Sequence, residues 1–406
     1  MAAPKPFKIS VPDSAVSHLK AKLASATFPD EVDFSDNWSY GSPLNDVKRL
    51  AAYWREGFDW RAAETRLNSE LPQFTTNVNV DGFGDLEIHF VHQTSSRPGS
   101  IPLLFCHGWP GSFLEVTKLL PLLTSPSDPS TQSFHIVAPS LPNFGFSQRV
   151  GQPGFGIPQY AETCHKLMLS VGYEQYVTQG GDWGYIITRL MGVNFPSHCL
   201  ASHMNLIMAK PPTFSRSPLQ FLKFLVTPFT PQEREGLART KWFREEGFGY
   251  NMEQSTKPHT LGFGLSDSPV ALLAWIYEKL HDWTDSYPWT DDEVLTWISI
   301  YQFSKAGPAA SVRIYYETQH SQATLKKAME YHPHVKLGFS YFPRDLVVLP
   351  KAFGRTLGPV VFEGVHEDGG HFAAYERPEK LAEDLQKMFG KGGGGYGVTK
   401  KLVSKL

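Results

Sequence analysis

From Leu86 onward the chain alternates short apolar runs with helical patterns. LEIHFVH, PLLFCHG, FHIVAPS, YVTQG and CLASHMNL have the length and residue types of strands. Between them, apolar residues recur at helical spacing over 113–123, 159–171 and 183–193. Strand followed by helix, repeated, predicts an α/β architecture: a mostly parallel sheet with helices on both faces. Between 209 and 320 the rhythm stops, and the chain becomes aromatic and helical. Ser268-Pro269 opens one helix there, and Thr290 with Glu293 forms the capping box of another. The sheet pattern resumes with KLGFSYF and GPVVFEGV, and a last helix is predicted from Pro378 to Phe389. A helical insertion between two parts of such a sheet predicts a lid over the active site. Of its tryptophans Trp275, Trp283, Trp289 and Trp297, packing accounts for most, and one or two are expected to line the pocket.

The chain therefore divides into a polar-aromatic, turn-rich N-terminal segment (1–80), a first core part (81–208), the lid (209–320), a second core part (321–390) and a glycine-rich tail (391–406). No internal repeat is found. Composition narrows the classes without choosing among them. The 406 residues carry a formal net charge of −2, which offers no field for nucleic acid or an anionic membrane. Cys106, Cys164 and Cys199 are odd in number and include no C-x-x-C pair, so neither a disulfide framework nor a zinc site is expected. A reducing compartment fits better. The first residues lack the apolar stretch of a signal peptide, and no run approaches the roughly 20 apolar residues of a membrane span. No metal or cofactor is called for. The chain ends Ser404-Lys405-Leu406, the tripeptide read by the peroxisomal import receptor, behind the flexible GKGGGGYGVTKK. A peroxisomal location is expected, and otherwise a cytoplasmic one.

The candidate chemistry lies in the loops after the strands. Gly180-Gly181-Asp182-Trp183-Gly184 follows YVTQ and opens a helix. It has the form of the nucleophile elbow, with Asp where serine is usual. An Asp N-cap is a common structural role, and the elbow alone does not exclude it. Asp368-Gly369-Gly370-His371-Phe372 then places a histidine after the last strand, where this architecture keeps its base. Asp345, after KLGFSYFP, fits the acid that orients the imidazole. His107-Gly108-Trp109-Pro110-Gly111 is positioned to supply a backbone N–H to an oxyanion, with Trp183 supplying the other. An Asp nucleophile attacks saturated carbon and forms an ester of its own carboxyl, so the leaving group is an epoxide oxygen or a halide. An epoxide also needs a proton donor. Tyrosine suits this, with an unperturbed pKa of about 10, and the lid offers Tyr250, Tyr301, Tyr315 and Tyr316.

HGWPGS, PSLPNFGFS, QGGDWG, FSYFPRD and DGGHFAAYERP resemble the corresponding motifs of the microsomal-type epoxide hydrolases, in a soluble, fungal-like form. FKISVPDSAVSHLKAKL and YWREGFDWRAAETRLNSELPQFTT resemble that family's N-terminal region, so the likeness covers nearly the whole chain. It implies an α/β-hydrolase fold with a helical lid and an N-terminal segment wrapping the core. It further implies Asp182 as nucleophile, His371 as base, Asp345 as acid, and Tyr250 and Tyr315 as proton donors, with Tyr316 one position from the second of these. A cis Pro110, a small hydrophobic epoxide as substrate and a homodimer are implied in the same way. Asn143 stands where the family usually has glycine, and the membrane anchor of the microsomal members is absent. Two rivals remain at this level: a haloalkane dehalogenase, since D-W-G occurs there too, and a non-catalytic protein of the same fold that binds lipophiles.

Overall fold

The computed structural model describes residues 3–216 and 218–398. Among them one nine-stranded sheet forms from β1 (Lys5–Pro6), β2 (Gln73–Val80), β3 (Gly84–Gln93), β4 (Ile101–Cys106), β5 (Phe134–Pro139), β6 (Tyr176–Gly180), β7 (Cys199–Met204), β8 (Lys336–Tyr341) and β9 (Val360–Val365). The spatial order is β1-β2-β3-β5-β4-β6-β7-β8-β9. From β5 through β9 all neighbours are parallel; β1, β2 and β3 extend the sheet with antiparallel pairings. Every residue of β4 is buried, as a central strand covered by helices on both faces requires. Each apolar run read as a strand is one. The N-terminal strand β2, QFTTNVNV, has one wet face, and its Thr and Asn residues made it look like turn sequence.

The helical stretches at 159–171 and 183–193 form helices Ile157–Ser170 and Trp183–Asn194, and the last helix spans Pro378–Phe389 as expected. The stretch at 113–123 splits into a 3-10 turn, Phe113–Val116, and a short helix, Leu119–Thr124. Pro121 lacks an N–H, so it is tolerated only in the first turn of a helix, and the helix starts just before it.

The insertion between β7 and β8 is helical and lies at the C-terminal ends of the parallel strands, where α/β sheets hold their ligands. Ser268 accepts from the Ala271 N–H at 3.1 Å, and Thr290 and Glu293 form the reciprocal capping box. The N-terminal segment holds this lid as well as the core. Ser42 donates to the Ala274 carbonyl at 2.8 Å, Trp38 stacks on His281 with ring centres 3.6 Å apart, and Trp60 packs against Phe303. Cys106, Cys164 and Cys199 are buried and free. No helix among the described residues is long and apolar enough to cross a membrane. Ser404-Lys405-Leu406 lies outside the described residues.

Candidate active site

Asp182 sits between the end of β6 and helix Trp183–Asn194, with φ +52° and ψ −127°. A non-glycine residue in that region is strained, and such strain persists only where the surroundings impose it. Here they do. Gly108 presses against the Asp182 side chain so closely that a Cβ on it would come within 2.2 Å of Oδ1. The backbone of the loop after β4 can therefore reach the carboxylate. The Trp109 N–H donates to Asp182 Oδ1 at 2.8 Å. The Trp183 N–H makes no hydrogen bond to this carboxylate, whose N–H partner is Trp109. The Trp109–Pro110 peptide is cis.

His371 follows β9 and is almost wholly buried. Its Nε2 lies 3.5 Å from Asp182 Oδ2, and its Nδ1–H donates to Asp345 Oδ1 at 2.8 Å. Asp345 Oδ1 also accepts from the Leu346 N–H at 2.8 Å, which pins it. Burial alone would pull the His371 pKa down. The two carboxylates, Asp182 and Asp345, outweigh burial and hold it up at about 10. The imidazole is thus protonated at neutral pH.

Tyr250 and Tyr315 come from two lid helices, Gly249–Thr256 and Arg313–Gln319, and both are buried. Their rings flank Trp109: Tyr250 stacks on it at 5.4 Å, and Tyr315 meets it edge-on at 5.6 Å. Tyr315 also meets Trp183 edge-on at 4.7 Å. Burial first, and then nearby charge including that of Asp182, pushes both phenols well above their usual pKa, so both keep their protons. The Tyr315 hydroxyl is buried and faces the Tyr250 hydroxyl and the Trp183 indole N–H. Tyr316 is 39% exposed and stacks on His320, facing away from this cluster. Tyr301 is committed elsewhere, its hydroxyl donating to the Gly111 carbonyl at 2.6 Å. Trp297 Nε1–H donates to the Pro110 carbonyl at 2.6 Å, so the lid grips the loop that carries Trp109.

Trp283 is one of the four lid tryptophans of which one or two were expected at the pocket, whereas Glu376 and Glu115 were not singled out in the sequence. Trp283 receives the His371 N–H on its carbonyl at 2.7 Å, and its ring lies edge-on to the imidazole. Glu376 accepts from the Gly370 and Asp285 N–H groups, tying the histidine loop to the lid. Glu115, eight positions after His107, is a lone carboxylate inside the apolar stretch FLEVTKLLPLL, which is the signal that marks it. His107 is structural. Its Nδ1–H bonds to the Gly108 carbonyl, its Nε2 accepts from Leu141, and burial lowers its pKa to about 4. Asn143 has φ +71°, which explains why glycine is usual there; asparagine tolerates this region better than most residues. Its Oδ1 accepts from the Val150 N–H. Among the described residues no group of three or more His, Cys, Asp or Glu side chains is placed to hold a metal ion.

A carboxylate with one oxygen clamped by an N–H and the other facing a carboxylate-backed imidazole can be both alkylated and deacylated. Comparison with known proteins identifies the family. Residues 4–116 match the family described as the epoxide hydrolase N terminus, and 101–229 match the alpha/beta hydrolase fold. The structure of Aspergillus niger epoxide hydrolase superposes with a TM-score of 0.82 at 36% identity, covering 95% of each chain. That of juvenile hormone epoxide hydrolase from Bombyx mori gives 0.84 at 31% identity, covering 99% of this chain and 96% of that one. Epoxide hydrolase 1 of Sus scrofa is 32% identical over 414 residues, 95% of this chain and 88% of that protein.

Proposed function

The chain belongs to the epoxide hydrolases of the α/β-hydrolase fold, and from that premise we propose that it opens small hydrophobic epoxides through a covalent ester on Asp182. The observation that carries this reading is the pair of clamps on one carboxylate. Oδ1 is held by the Trp109 N–H, and Oδ2, the attacking oxygen, lies 3.5 Å from His371 Nε2. Asp182 Oδ2 forms a bond to an epoxide carbon, the carbon–oxygen bond of the ring breaks, and the departing oxygen, hydrogen-bonded by both Tyr250 and Tyr315, takes one proton from that pair. His371, backed by Asp345, then takes a proton from water as the water attacks Asp182 Cγ. Oδ1 carries the developing negative charge against the Trp109 N–H, and the Trp183 N–H is the second donor, engaged as the tetrahedral oxyanion forms. Two buried, protonated phenols suit an epoxide oxygen, which must be protonated on leaving; a halide needs no such donor.

Single-turnover hydrolysis of styrene oxide in ¹⁸O-water tests the ester. The first label is expected in Asp182, with the diol unlabelled. Label in the diol on the first turnover would mean direct attack by water and would reject the ester. Asp182→Ala is expected to stop all chemistry and take up no adduct.

The terminal Ser404-Lys405-Leu406 supports a peroxisomal address. A fluorescent protein fused ahead of the intact tail should collect in peroxisomes, and deletion of Leu406 should leave it cytosolic with the enzyme active. A cytosolic signal from the intact tail would dispose of the idea.

A further inference from the structure

Beside Asp182 lies a small cavity where the ends of β4, β6 and β7 meet. Its walls include Glu115, Gln179, Asn205, Asp182 and His371, and it has room for about one water molecule. Gln179 is the last β6 side chain before Gly180 and is only 1% exposed. Its Nε2–H donates to Asn205 Oδ1 at 2.8 Å, but its Oε1 finds no donor among the described residues. A buried amide oxygen left unpaired costs about 1–3 kcal/mol, so it calls for a partner. Glu115, from the turn Phe113–Val116, closes another wall and lies against Gly111. Both His371 and Asp182 line this same cavity, so a water in it would stand beside the base and the ester carbon at once.

We infer that Gln179, Asn205 and Glu115 form the site that holds the hydrolytic water for the second half of the reaction. The inference rests on the covalent reading of Asp182. Gln179 Oε1 accepts one hydrogen of the water and His371 Nε2 takes the other as a proton. The water oxygen bonds to Asp182 Cγ, the Cγ–O bond to the substrate breaks, and the proton passes from His371 to the released alcohol oxygen; the second proton of the water, left on the new Asp182 carboxyl, is released as that carboxyl ionises and restores the phenol that gave its proton in ring opening. Burial raises the Glu115 pKa to about 8, so at neutral pH this wall is mainly a neutral carboxyl that can donate to the water oxygen without repelling the Asp182 carboxylate. Gln179, Asn205 and Glu115 are positioning residues, because they act on the water rather than on the epoxide.

Gln179→Met keeps the side-chain volume and removes the acceptor; Glu115→Leu removes the second polar wall. Rapid-quench mass spectrometry with styrene oxide separates the two half-reactions. In each variant one equivalent should add to Asp182 at the wild-type rate, and the ester should then decay about 10²-fold more slowly, the scale expected from a misplaced reactant. In steady state kcat and KM should fall together, because hydrolysis has become limiting. Glu115→Gln, which stays neutral and polar, should restore most of the hydrolysis rate. Ester decay at the wild-type rate in either variant would overturn the inference. So would an equal slowing of both half-reactions, which is the signature of general loosening. Stoichiometric uptake shows that the variant is folded; if one variant takes up none, the other decides. Failure of the covalent reading is distinguishable, because then the wild-type enzyme would place the ¹⁸O label in the diol on the first turnover.

Discussion

Replacing His371 with alanine should yield a protein that is alkylated once and then stalls. Attack by Asp182 on the epoxide carbon needs no base, so the carboxylate should still react. Hydrolysis of the ester does need one, because water is a poor nucleophile at neutral pH. Loss of a triad histidine or of its correct state costs about 10⁴-fold in comparable sites, equivalent to about 5 kcal/mol of transition-state stabilisation. Steady-state diol formation should fall by about that factor. The intact variant should gain the mass of one epoxide, located on the peptide that contains Asp182. A variant that shows no adduct and no turnover would place His371 in ring opening instead. Asp345→Ala should show the same phenotype in milder form, since the imidazole would remain but lose the acceptor at 2.8 Å that orients it. The pH dependence carries a sign of its own. In the free enzyme Asp182 and Asp345 together hold the imidazole pKa near 10, against the opposing effect of burial. Once Asp182 is an ester its charge is gone, while burial and Asp345 remain, so the pKa must fall in the intermediate. Hydrolysis of the ester should therefore accelerate as pH rises through the lowered value. This is measurable in single turnovers between about pH 6 and 9, the range spanning an ordinary histidine. A rate of ester decay that falls as pH rises would contradict the assignment of His371 as base.

The second large effect concerns the phenols. Tyr250→Phe and Tyr315→Phe should each lower kcat by about 10²-fold, the lower end for loss of one general acid. Together they should nearly abolish ring opening. Each ring stays packed against Trp109, so the change removes a hydroxyl and little volume. The donor strengthens as the alkoxide develops, so kcat should suffer more than substrate binding. For Tyr315 the change also removes a buried hydroxyl that faces the Tyr250 hydroxyl and the Trp183 indole N–H, so it leaves those groups less well satisfied. Thermal stability should fall slightly, by about 1 kcal/mol, while activity falls by the far larger factor. Tyr316→Phe should leave turnover unchanged, because that ring is exposed and stacked on His320. A crippled Tyr316→Phe beside a fully active Tyr315→Phe would reverse the assignment of the second donor.

Much of the architecture was legible in the chain. Buried parallel strands read as continuous apolar runs, because helices cover both of their faces, and so β4 through β9 could be picked out one by one. Glycine-rich turns at strand ends marked the elbow at Asp182 and the histidine loop, because close backbone approaches exclude other residues. Local caps such as Ser268 and Thr290 with Glu293 were equally visible, since the groups that meet lie within one turn. Contacts between groups remote in sequence left no such mark. That Tyr315 rather than Tyr316 joins the site depends on which face of a lid helix meets Trp109, and adjacent tyrosines do not announce it. The splitting of the 113–123 stretch, the grip of Trp297 and Tyr301 on the oxyanion loop, and the support of the histidine loop by Glu376 and Trp283 all join distant segments. The sequence by itself determined which residue types could carry the chemistry and where strand ends would present them. Only the tertiary structure decided their ionisation and their partners. Burial and charge at distances of a few ångströms set the His371 pKa and left Gln179 Oε1 unpaired beside Asp182, and both depend on the packing of elements that are neighbours in space and not along the chain.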